Sequence, residues 1–96
     1  MAGERGKRVT VRSEQLSIGT AAVLIGVGNA GGSTLYIHQE PNSPHDIFLG
    51  AETVTTANGF QLHKGVHQTI NLPEGVRLYA VASTEEVLYV LQTGGR

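Results

Sequence analysis

The chain has 96 residues, enough for one domain with a modest core and no more. It contains no cysteine, which excludes disulfides and thiolate metal sites, and only 16% charged residues, below the usual quarter. The net charge of -1 hides an asymmetry: residues 1–12 carry four basic side chains against one acid, and the rest carries three against seven.

The chain begins with that basic segment. Arg5, Lys7, Arg8 and Arg12 read as a flexible arm over residues 1–12. Such an arm suits an acidic partner surface or a neighbouring copy, and equally suits a solvated terminus. With no interleaved aromatics it argues against nucleic acid. The segment leads into no continuous apolar stretch, so it is read as no secretory signal and the chain is expected to be made in the cytoplasm. No apolar run approaches the roughly 20 residues that span a bilayer, so no membrane partner is expected.

Periodicity then marks strands. Arg8–Arg12 reads as a short strand with Val9 and Val11 on one side, and Glu14–Leu16 as at most one helical turn. Ala21–Val27 is apolar and β-branched. Gly26–Gly31 reads GVGNAG, a formal match to a dinucleotide-binding loop, but a strand follows where that loop needs a helix, so it is assigned as a hairpin loop. Leu35, Ile37 and Gln39 alternate with Tyr36 and His38. Gln68, Ile70 and Leu72 alternate with His67, Thr69 and Asn71. Leu78, Ala80 and Ala82 alternate with Arg77, Tyr79 and Val81. Glu86–Leu91 is apolar on both sides and predicts a central or well-covered strand. Residues 93–96 read as a tail.

Turn residues separate these runs at intervals of roughly 8–12 residues, and no stripe of helical period appears. The prediction is an all-β chain: a small antiparallel β-sandwich or barrel-like, jelly-roll-like single domain over residues 13–92, carrying the basic arm. Asn58-Gly59 is expected to supply the positive-φ residues of a tight reversal, with Phe60 and Leu62 plugging the core behind it. Pro41, Asn42, Ser43, Pro44, His45 and Asp46 form a Pro-bounded surface loop.

No catalytic, cofactor or metal site emerges. Ser43, His45 and Asp46 supply the residue types of a triad, but neighbours in a Pro-bounded loop do not place a base between nucleophile and orienter. Four histidines lack the convergence of three or four ligands that zinc requires. Glu85-Glu86 sits at an expected turn and is read as solvated. The chain is therefore expected not to be an enzyme.

The run from Leu35 to Ala82 resembles small β-sandwich virion proteins of tailed bacteriophages. The resemblance rests on Ile47–Gly50, Val54–Leu62, Gly65 and Leu78–Ala82, and covers about half the chain. The segment from Pro41 to Asp46 departs from that pattern. The resemblance implies a structural part of a virion: most directly a capsid decoration protein on the outer shell, homotrimeric, stabilising the capsid and contacting the major capsid protein and its own copies. Arg5, Lys7, Arg8 and Arg12 would then be shell contacts. A tail or baseplate component is the variant within this class. A carbohydrate-binding host-recognition module, using the Pro41–Asp46 loop with Tyr36 or Tyr79, is the alternative outside it.

Overall fold

A computed structural model describes residues 9–40, 42–63 and 67–95. It is all-β: β1 Val9–Ile18, β2 Val23–Val27, β3 Ser33–Gln39, β4 Ile47–Gly50, β5 Phe60–Leu62, β6 His67–Leu72, β7 Arg77–Ala82 and β8 Glu86–Gly95. The strands form two four-stranded antiparallel sheets, sheet A in the order β1-β8-β3-β6 and sheet B in the order β2-β7-β4-β5. Only β4 and β5 are joined within one sheet; every other connection crosses between the layers. This is a two-sheet sandwich of jelly-roll topology, within the all-β class that the periodicity predicts.

The core follows from strand alternation. Leu35, Ile37, Leu88 and Val90 of sheet A face Ile47, Leu49, Leu62 and Ala80 of sheet B, and all are buried. At ≈ 25 cal/mol per Å² of apolar surface removed from water, this layer is the principal source of stability. β8 is central in sheet A, flanked by β1 and β3. It is less covered than its sequence implies, because Val87 and Leu91 are exposed on its outer side.

Several boundaries and turns differ from expectation. The sandwich does not start at residue 13 or stop at 92. β1 begins at Val9, and Val9–Arg12 pairs with Gln92–Gly95. Glu14–Leu16 is strand, because its partners on β8 hold it extended. The Gly26–Gly31 loop is an arch between sheets rather than a hairpin. Its Gly28 amide donates to the Val76 carbonyl (2.9 Å) and the Gly75 amide donates to the Gly28 carbonyl (2.9 Å).

The Asn58-Gly59 corner is built differently too. The positive-φ glycines among the described residues are Gly31, Gly32 and Gly75. At the corner, Thr55 acts as a cap. Its carbonyl accepts from the Gly59 amide (2.9 Å), its Oγ1 accepts from the Ala57 amide (3.2 Å), and Asn58 Oδ1 accepts in return from the Thr55 amide (2.8 Å). Gly59 is required for room: a Cβ there would lie 2.6 Å from Phe48 Cβ and 2.8 Å from Val54 Cγ2. Leu62 plugs the core as expected, but Phe60 does not and is 64% exposed. β5 is an edge strand three residues long, so no neighbour covers the ring at its end.

Gly59→Ala should therefore destabilise through overpacking, by about 1–3 kcal/mol. Thermal unfolding followed by circular dichroism should show the midpoint fall by roughly 4–8 °C for each kcal/mol in a domain of this size.

Candidate functional site

A two-layer sandwich has two outer faces, and here they are treated differently. On sheet B, Phe48 and Gly50 point outward from β4, and the 51–59 loop folds back onto them. Val54, 7% exposed, sits so close to Gly50 that a Cβ on the glycine would lie 2.8 Å from Val54 Cγ2. The loop thus covers the β4 side of the outer face of sheet B, while Leu24 on β2 remains 41% exposed.

Sheet A has no such lid among the described residues. Register aligns its outward side chains in rows across the four strands. One row is Gln15, Tyr89, His38 and His67; the next is Ser13, Leu91, Tyr36 and Thr69. A third is Val11, Thr93, Thr34 and Asn71, with Thr34 Oγ1 donating to Asn71 Oδ1 at 3.1 Å. None of these positions holds a carboxylate, a lysine or an arginine. Val11 is 67% exposed, Tyr36 44% and Leu91 38%. The first two rows line an open trough of ≈ 600 Å³. Charge depletion and exposed tyrosine are features shared with interface centres, set here among eight neutral polar side chains.

The most ordered feature of this face is a ladder of three rings. Tyr89 stacks on His38 with centroids 4.8 Å apart and planes 22° apart, and His38 stacks on His67 at 4.8 Å and 15°. The spacing is that of adjacent strands. The ring normals therefore run across the sheet and the ring edges point away from it. Both faces of His38 are taken by its neighbours. A sugar would find Tyr36 here, whereas Tyr79 lies on the outer side of sheet B beside Leu24 and Gly50. The two tyrosines do not form one platform.

Two of the sheet edges, β1 and β2, are blunted. β1 turns Arg12 and Glu14 toward the inner side, and the two are ion-paired. Arg12 Nη2 also donates to the Ile25 carbonyl (2.9 Å) and to Gln92 Oε1 (2.8 Å), and Gln92 Nε2 donates to the Val27 carbonyl (2.8 Å). This knits β1 and β8 to β2 of the other sheet. Inward charge on an edge strand discourages strand addition, as does the irregularity in β2 between Leu24 and Gly26.

Arg12 is thus engaged within the chain by these bonds, not held out as an arm contact. Arg5, Lys7 and Arg8 lie outside the described residues.

The Pro41–Asp46 loop also departs from a plain surface loop. Pro41 lies outside the described residues, and Asn42 and Pro44 are exposed, but Ser43 is 9% exposed. Gln39, fully buried, donates through Nε2 to the His45 carbonyl, and Gln61 Nε2 donates to Asp46 Oδ2. His45 Nδ1 lies 3.0 Å from Glu86 Oε2 and 2.8 Å from Thr84 Oγ1. The loop is bolted to both sheets and closes one end of the sandwich. Glu86 is consequently buried at 6% exposure, not solvated with Glu85, which accepts from Ser17 Oγ. Thr84 and Glu86 both meet the same ring nitrogen, so no relay runs through His45. Gln39 Oε1 and Asp46 Oδ1 are buried without a hydrogen-bond partner among the described residues.

Among the described residues no group of three or more His, Asp or Glu is placed to hold a metal ion. No helix among them is long and apolar enough to cross a membrane. The ring ladder escaped sequence reasoning. Alternation places Tyr36 and His38 outward, but only the strand order reveals that His67 and Tyr89 flank His38.

No protein-family model matches the chain, and no curated protein matches it. It is similar in fold to a solved structure from Bacillus endospore appendages, described as forming a novel family of disulfide-linked pili. The TM-score is 0.53 at 12% identity, over 91% of this chain and 87% of that one.

Arg12→Ala should leave Gln92 Oε1 and the Ile25 carbonyl without that donor, at a cost of about 1–3 kcal/mol. Urea unfolding should show a lower midpoint with an unchanged slope.

Proposed function

We propose that this chain is a non-enzymatic structural subunit that works in many copies on a repeating protein lattice. The reading is supported by the uncovered outer face of sheet A, whose three central rows carry no charged side chain, opposite a sheet B face that its own loop covers at β4. Each copy offers a planar area of roughly 400 Å², from four strands about 4.8 Å apart and about three cross-strand rows. A stable pairwise complex needs about 800 Å² per partner. One such contact is weak, and a lattice that engages many copies makes it durable.

With the resemblance of Leu35–Ala82 to phage virion proteins, the specific form of the proposal is a capsid decoration protein, trimeric on the outer shell and stabilising it. The basic residues Arg5, Lys7 and Arg8 would reach the shell or the next copy. The fold likeness to a pilus subunit favours a second form of the same idea, a subunit of a filament. A filament built from this chain could not be linked by disulfides within its 96 residues, since these contain no cysteine.

Immunogold electron microscopy on particles from the producing culture separates these forms. Gold over capsids supports decoration, gold confined to tails supports a tail or baseplate component, and gold along filaments supports the second form. Protein abundant in the lysate with no gold on any assembly overturns all three. Leu91→Asp places a charge at the centre of the face and should cut particle occupancy at least tenfold while the melting curve of the free protein shifts little.

A further inference from the structure

The two sheets have four edge strands, and one of them is unlike the others. β1 turns the ion-paired Arg12 and Glu14 toward the inner side, β2 is broken by a register shift between Leu24 and Gly26, and β5 is only three residues long. Inward charge, irregularity and shortness each discourage strand addition. β6 has none of these. It runs against β3 from His38↔His67 to Ser33↔Leu72 with no register shift. Its sequence, His67-Gln68-Thr69-Ile70-Asn71-Leu72, contains no lysine, arginine, carboxylate, proline or glycine. Along a strand, the amide and carbonyl of successive residues point alternately to its two sides. Half of the β6 backbone groups therefore serve β3, and the other half point out of the sheet, where no described strand lies. The inner side of this edge is incomplete as well. Arg12 ties sheet A to β2 at one flank, so β6 and β5 stand at the other. β5 is half the length of β6, and Ile70 points inward yet stays half-buried.

We propose that β6 is a pairing edge, and that its partner is β6 of a second copy of this chain, antiparallel across a two-fold axis. The two copies of sheet A then form one continuous sheet. Charge selects this occupant. A two-fold contact uses the same patch on both copies, so a charged side chain on the strand would meet its own kind, which is destabilising. β6 carries no such side chain, and it offers nothing complementary to a strongly acidic or basic strand. The axis stands perpendicular to the sheet, so outward residues meet outward residues. The inward Gln68 and Ile70 of each copy cover those of the other. Pairing also places the two open faces side by side. The planar area grows from roughly 400 to roughly 800 Å², which is about what each partner of a stable complex contributes. That gain rests on the lattice reading, whereas the pairing is a property of the isolated chain. A two-fold contact closes with two copies, so on a shell it would link neighbouring trimers rather than build one.

Six paired residues bury far less than the roughly 800 Å² per partner of a stable complex, so a weak dimer is expected. The test is sedimentation velocity of the full chain at concentrations rising to about 1 mM, where a weak complex is populated. Wild type is compared with Gln68→Lys, which gives β6 the inward charge that β1 has, on a stem long enough to carry it to solvent. Ala57→Lys adds the same charge at an exposed loop position away from the edge. Melting curves check both variants. The expected result is a monomer–dimer equilibrium, weakened at least tenfold by Gln68→Lys and unchanged by Ala57→Lys. Amide hydrogen exchange on the wild type reads the contact without a substitution: alternate amides of β6, those not bonded to β3, should exchange more slowly at the high end of the series. A wild type that stays monomeric throughout overturns the pairing. So does association that Gln68→Lys leaves intact, or that leaves exchange in β6 unchanged. A dimer with no gold on any particle would remove the lattice and keep the edge contact; gold on particles from a chain that stays monomeric in solution would do the reverse.

Discussion

Two sheets can bury two faces against each other, and the other two stay open to water unless something covers them. That constraint organises this molecule. The inner faces are satisfied by Leu35, Ile37, Leu88 and Val90 against Ile47, Leu49 and Leu62. The β4 side of the outer face of sheet B is covered from within, by the loop whose Val54 seats against Gly50 and Gly59, while Leu24 on β2 stays 41% exposed. Two small residues and one β-branched side chain thus shield β4 from water. The outer face of sheet A has no equivalent among the described residues. Its outward positions still carry tyrosine, leucine and valine, side chains that gain free energy only when water is removed from them.

The polar features reinforce this division. Arg12, Glu14 and Gln92 are spent on joining sheet A to β2 along one flank. Gln39, His45, Thr84 and Glu86 close one end. Charge is thus used at the flank and the end, where it blocks strand addition and holds loops, and is kept off the face. A surface that was merely solvated would have no reason for that segregation, because exposed charged pairs contribute little to stability and favour solubility wherever they stand.

Much of the fold was legible in the sequence, because period-2 alternation is a direct imprint of a half-buried sheet. Leu35-Ile37-Gln39 and Ile70-Leu72 face inward as their spacing requires, and the central place of β8 follows from its apolar run. Reversals were less legible. Asn58-Gly59 carries the signature of a positive-φ turn, yet a threonine cap satisfies the same backbone groups with the glycine present only for space. The ends of β1 and β8 looked like an arm and a tail because glycine and charge are poor strand formers alone; each is held by pairing with the other. The ring ladder was invisible for a stronger reason: His38, His67 and Tyr89 become neighbours only through a strand order that no local pattern encodes.

The most direct test of the central claim uses the absence of native cysteine, which makes any introduced thiol unique. Ser13→Cys places a thiol on the open face of sheet A, and Ala57→Cys places one on the lid of sheet B, both at exposed positions. Maleimide labelling is compared for the free chain and for the chain within its native assembly. The account predicts that both thiols react in the free chain, and that in the assembly the thiol at position 13 is protected while that at 57 still reacts. Equal labelling at position 13 in both states would contradict it, because the face would then stay open to water in the assembled protein.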